Sequence, residues 1–143
     1  GPIPDDDHTV PLGSARVLWE GGDVSVYTWG AMTKPTMAAA ADLGPEIDAE
    51  VIDLRSLTPL DKNAIVDSFK KTGRATVVHE APRTGGLAGE LTALLQGEAL
   101  LYQEAPITRV TGYDITYPLY ELEDYQLPSP ARIREGIEEA AAF

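Results

Sequence analysis

The chain has 143 residues, enough for one compact domain whose core needs no metal or disulfide. It contains no cysteine, which removes thiolate catalysis, disulfides and cysteine-based metal sites. Its 23 acidic and 11 basic side chains give a net charge of −12, a poor match for nucleic-acid phosphates and a good one for a basic partner or a salty solvent.

Residues 1–14 carry Pro2, Pro4, Pro11 and the run Asp5-Asp6-Asp7. They are expected to form an extended linker or arm ahead of a single domain over 15–143. The acidic run reads as solvated charge rather than a cation chelate, and His8 beside it as exposed. No stretch has the pattern of a signal peptide or membrane span, so a cytoplasmic setting is expected. Gly1-Pro2 opens the chain where an initiator methionine would stand, as in a cleavage remnant or an internal start.

Ala15 to Trp19 suits an edge strand. Gly21-Gly22-Asp23 then turns the chain into Val24–Trp29, whose valines and aromatics can face opposite layers. Gly30 closes that strand and lets a helix begin near Thr33, with Pro35 tolerated in its first turn. Gly30 is also a conceivable phosphate seat, although no glycine-rich nucleotide fingerprint accompanies it. A strand follows at Ala49–Leu54, where Asp53 is expected to bond the backbone and Arg55 is available to pair with it. Thr58-Pro59-Leu60-Asp61 predicts a helix start, with Thr58 as N-cap and Asp61 in the place of the capping-box acid. Ile65 and Phe69 share a helix face, Lys70-Lys71 suit its negative end, and Gly73 suits its termination.

The centre of the chain is Arg74–Gly86. Thr76, Val77 and Val78 form a β-branched run without a polar face, as in a strand buried on both sides. His79 and Glu80 follow where the apolar run ends, and in extended backbone they leave on opposite faces, which weakens a direct acid–base dyad. Leu87, Leu91, Leu94 and Leu95 supply the next helix. His79, Glu80, Arg83 and Thr84 thus gather near the carboxyl edge of a parallel sheet, where open α/β sheets carry sites. Two uses stand beside each other. In one, His79 anchors a turn through one ring nitrogen, Glu80 or Arg83 makes a contact between subunits, and Thr84 caps the Leu87 helix. In the other, the group touches substrate, with Arg83 neutralising Glu80 or a ligand. Metal binding is not expected, since the only other histidine is His8.

Glu98 to Tyr102 prolongs or follows that helix, and Ile107–Val110 is the last strand. From Gly112 the chain is irregular, with Tyr113, Tyr117, Tyr120 and Tyr125 among acids and prolines. These rings can line a partner surface or pin a long loop. Ser129-Pro130 opens a terminal helix whose Ile133, Ile137, Ala140 and Ala141 recur at helical spacing.

Read in order, T-V-P-L-G-S-A at Thr9–Ala15, V-I-D-L-R-S-L-T-P-L-D at Val51–Asp61, V-V-H-E-A-P-R-T-G-G at Val77–Gly86, A-P-I-T-R-V-T-G at Ala105–Gly112 and L-P-S-P at Leu127–Pro130 resemble one family. It is the C-terminal domain of the beta subunit of the E1 component of thiamine-diphosphate-dependent 2-oxo acid dehydrogenases. The resemblance implies an α/β three-layer sandwich of the transketolase C-terminal type with a mainly parallel sheet. It implies a parent enzyme that decarboxylates a 2-oxo acid and acylates the lipoyl groups of E2. Thiamine diphosphate and magnesium would sit on the alpha subunit and the preceding beta domain, with no cofactor-binding, metal or catalytic residue in this chain, which alone would be inactive.

The partners so implied are the remainder of E1 beta, the E1 alpha subunit, a second E1 beta and the peripheral subunit-binding domain of E2. Glu104 matches an acid near the E2-docking surface, and Phe143 a terminal carboxylate that can meet a basic E2 side chain. Thr108 stands where another member offers an acid. His79, Glu80, Arg83 and Thr84 would support assembly or the active site. The competing readings are a domain that directly contacts substrate or the lipoyl arm, and an independent nucleotide-binding domain.

Overall fold

The computed structural model describes residue 5 and residues 7–143; residues 1–4 and Asp6, which include Pro2, Pro4 and the middle of the acidic run, lie outside the described residues. Five strands, β1 (Arg16–Trp19), β2 (Val24–Thr28), β3 (Ala49–Asp53), β4 (Ala75–Pro82) and β5 (Thr108–Gly112), form one sheet in the order β1-β3-β2-β4-β5. Only β1 runs antiparallel to its neighbour; the other three pairings are parallel. Helices α1 (Thr33–Ala41) and α5 (Pro130–Ala141) cover one face, and α2 (Lys62–Thr72) and α3 (Leu87–Ala99) cover the other. This is the expected three-layer α/β arrangement.

The two-residue period of the strands assigns side chains to layers. Val24, Val26, Val51 and Val78 enter the core under α1 and α5 with Ile133, Ile137 and Ala140. Tyr27, Ile52 and Val77 enter the opposite core with Ile65, Phe69, Leu91 and Leu95. The central strands are buried on both faces, which is why they read as continuous apolar runs. Both helix-end signals at 73 and 129 hold. Gly73 closes α2 in the left-handed region at φ 67°, and the Ser129 hydroxyl accepts from the Arg132 amide at the start of α5.

The start of α2 is a correction. The predicted N-cap Thr58 is not one: Leu57 and Leu60 form an isolated bridge, and α2 begins at Lys62. Asp61 is the N-cap, its carboxylate accepting from the Ala64 amide at 3.1 Å and from the Ala15 amide at 2.9 Å. The same acid that local spacing assigned to the third helical position therefore serves as cap, because its second oxygen is claimed by a segment 46 residues away.

One buried polar network escaped the sequence reading. Ser25 of β2 bonds Ser68 at 2.6 Å and Thr72 at 2.8 Å, and Ser68 donates in turn to Glu50, whose carboxylate also meets Lys71. Glu50 is 3% exposed. An acid in the middle of a strand reads as solvent-facing until the parallel pairing with β2 puts that face under α2.

Candidate site at the carboxyl edge of the sheet

The strand order changes direction around β2, which has β3 on one side and β4 on the other, so the usual ligand crevice of such a sheet opens beyond the ends of β2 and β4. Trp29, just past β2, stacks on His79 of β4 with ring centroids 5.3 Å apart and planes inclined by 14°. His79 is 1% exposed, so a direct touch on substrate by its ring would need the stack to open.

The expected turn anchor is absent. Among the described residues neither ring nitrogen of His79 has a hydrogen-bond partner, and the Cε1–Nε2 edge of the ring lies against Gly86. A Cβ at Gly86 would stand 2.6 Å from His79 Cε1 and 2.5 Å from the Pro82 carbonyl, so glycine is required there by space. Burial first, and then the charge of Arg109, hold the imidazole below its ordinary pKa of 6.5. Below that value the unfolded chain takes up a proton that the folded chain refuses, so stability from this residue is full above it and falls with acidification towards the depressed folded value. We expect the native chain to lose more stability than a His79→Gln variant between about pH 7 and about pH 5, by at most about 1.4 kcal/mol per pH unit. Urea unfolding at both pH values reads this directly; equal losses would refute it.

The other three predicted site residues are also rearranged. Glu80 is exposed and leaves the strand on the face opposite His79, as the two-residue period demands. Arg83 forms no ion pair with it; the guanidinium instead donates to the Arg109 carbonyl at 3.3 Å. Thr84 does not cap α3. Its amide and hydroxyl both bind the Asp114 carboxylate, at 2.9 and 2.6 Å, and the N-cap position belongs to Gly86, with no side-chain cap. Those two Thr84 bonds, the hydroxyl's foremost, hold the Asp114 carboxyl below the usual carboxylate range. Arg109, Asp114 and Arg132 thus join the site unannounced, and the one sequence signal for them was an arginine inside a short β-branched strand.

Glu104 pairs with Arg74 at 2.7 Å, and its amide bonds the Gly73 carbonyl at 2.8 Å. Arg74 lines a cavity of about 520 Å³ together with Glu138, Ala141 and Ala142. The arginine that holds the predicted docking acid therefore shares a hollow with the end of α5, two residues before Phe143, which is 68% exposed. The tyrosine-rich segment is resolved in favour of exposure. Tyr120 and Tyr125 are 84% and 76% exposed, with Leu119 and Leu122 beside them, whereas Tyr113 lies 4.4 Å under the Arg132 guanidinium. A short helix, α4 (Glu123–Gln126), interrupts this otherwise irregular stretch.

The model of the family "Transketolase, C-terminal domain" matches residues 13–133. The chain is 47% identical over 131 residues to a 2-oxoisovalerate dehydrogenase subunit beta of Pseudomonas aeruginosa, covering 92% of this chain and 37% of that protein. It is 42% identical over 142 residues to a pyruvate dehydrogenase E1 component subunit beta of Staphylococcus aureus, covering 99% and 44% respectively. Among solved structures, a split-gene transketolase described as an inactive beta4 tetramer superposes with a TM-score of 0.82 at 28% identity, over 99% of this chain and 46% of that one. The chain spans less than half the length of these relatives. Fold, motif order and the extent of the match agree: the chain belongs to the transketolase C-terminal domain family, in the form carried by 2-oxo acid dehydrogenase E1 beta subunits.

Proposed function

We propose that this chain is the assembly and E2-docking domain of a cytoplasmic 2-oxo acid dehydrogenase E1 component, inactive on its own. The observation that carries the reading is a surface suited to partners, formed by exposed side chains of the segment after β5. Leu119, Tyr120, Leu122 and Tyr125 present apolar area with hydroxyls at the rim, a composition that suits a protein interface.

Thiamine diphosphate and magnesium belong, on this reading, to the E1 alpha subunit and the remainder of E1 beta. Among the described residues no three His, Asp or Glu side chains converge as a metal cluster. No helix of the described residues is long and apolar enough to cross a membrane. The remaining partners are a second E1 beta and the peripheral subunit-binding domain of E2, met by the Glu104 carboxylate and the Phe143 terminus.

Arg74 holds one oxygen of Glu104, so a basic E2 side chain would meet the carboxylate through the other. Calorimetric titration with the E2 peripheral subunit-binding domain tests this. Glu104→Lys is expected to weaken binding at least about tenfold, by setting two like charges at the contact, while His79→Gln leaves it unchanged. Unaltered binding by Glu104→Lys would dismiss the docking surface.

A further inference from the structure

The first turn of α3 opens on a cavity of about 730 Å³ whose lining includes Arg83, Gly85, Gly86, Gly89, Glu90 and Arg109. Three features make it unusual in a chain of net charge −12. First, two arginines line it, and among the described residues neither lies within ion-pair distance of a carboxylate. Arg83 is held across the mouth by the Arg109 carbonyl, and an Arg109 nitrogen comes within 4.0 Å of where a Gly89 Cβ would be. Second, α3 is a 13-residue helix without a side-chain cap, so its leading amides and positive end face the same space. Third, the buried and unpartnered His79 ring sets its Cε1–Nε2 edge against Gly86, the N-cap residue. The two cations and the uncapped amides all favour negative charge in this space, and a multiply charged anion meets both needs at once. Glu90 contributes one negative charge in the first turn of α3, at the border of the cavity.

We propose that this cavity binds a phosphate group, held by the forks of Arg83 and Arg109 and by the first-turn amides of α3. Guanidinium forks and a helix N-terminus are the two groups that best match phosphate oxygens. Phosphate suits the lining better than carboxylate, because two guanidinium forks and a helix end offer more donors than one planar group can accept. A tetrahedral dianion offers oxygens to all of them, whereas a planar carboxylate satisfies one fork. The glycines at 85, 86 and 89 keep side chains out of the approach, and Gly85, at φ 73°, has nothing within 4 Å of a Cβ. This inference goes beyond the docking role and does not rest on it.

Nuclear magnetic resonance titration of the 143-residue chain with inorganic phosphate and with methyl phosphate at low ionic strength is the test. Saturable shifts are expected at the Leu87 and Ala88 amides and at the two arginine side chains; the Gly89 amide already donates to the Gly86 carbonyl at 3.1 Å. Arg83→Gln and Arg109→Gln should each weaken binding about tenfold or more. Gly89→Asp puts a carboxylate beside Arg109 at a helical position where aspartate is no worse than glycine, so it should abolish binding without unfolding the chain. Tighter methyl phosphate binding would assign the site to an esterified phosphate, and tighter inorganic phosphate binding to the free ion. No saturable shift by about 10 mM, ten times a millimolar Kd, overturns the proposal, as does acetate binding as tightly as phosphate. Either failure leaves the docking reading intact, since that concerns Glu104 and the tyrosine-rich segment.

Discussion

Replacing Phe69 by alanine should remove about 3–5 kcal/mol of folding stability, the largest single loss expected anywhere in the chain. Phe69 is fully buried on the inner face of α2, in the cluster that also holds Tyr27, Ile65, Leu91 and Leu95. That cluster joins α2 and α3 to the sheet, so the void left by the ring cannot collapse without moving a helix. Two terms add, the lost transfer of the ring from water and the residual cavity, and both are near their maximum at a site with no exposure. For a domain of this size the melting temperature should fall by about 10 °C. Leu101→Ala, at a side chain 96% exposed, should change stability by no more than about 0.5 kcal/mol. Chemical unfolding of both variants settles the matter, and a loss under about 1 kcal/mol for Phe69→Ala would mean that the α2 layer is not packed as described.

The second large effect concerns Glu50. Lys71→Ala strips the cation from a carboxylate whose side chain is 4% exposed, leaving it only the Ser68 hydroxyl. Breaking a fully buried pair costs about 3–5 kcal/mol. The Lys71 side chain, however, is 44% exposed, so water reaches one end of this pair and the expected loss is smaller, about 1–3 kcal/mol. Glu50→Gln in the Lys71→Ala background should restore much of it, because the amide still accepts from Ser68 and carries no charge to strand. A double-mutant cycle at neutral pH measures the coupling. If the two single losses simply add, Glu50 and Lys71 do not interact across β3 and α2.

The candidate site was legible to different depths. Gly73 and Ser129 act as read because a cap depends on the few residues around it. Thr84 was misassigned because its hydroxyl had two possible partners, the nearby helix amides and Asp114, 30 residues on. Spacing exposes only the first. The same holds for Asp61, whose claim on Ala15 shifts the start of α2. His79 was placed correctly at the edge of the sheet, yet its surroundings come from Trp29 and Gly86, on the connections that follow two different strands.

By itself the sequence determined the alternation of strands and helices and the burial of the central strands, since each follows from residue type and spacing within a window of a few turns, and the order of its long motifs carried the family resemblance. Tertiary structure decided which carboxyl ends stand side by side. The order β1-β3-β2-β4-β5 brings Trp29 to His79 and Arg109 to Arg83, and buries Glu50 beneath Lys71. Those pairings join residues that no local period relates, and their energies exist only once the sheet has closed and water has left the spaces between its layers.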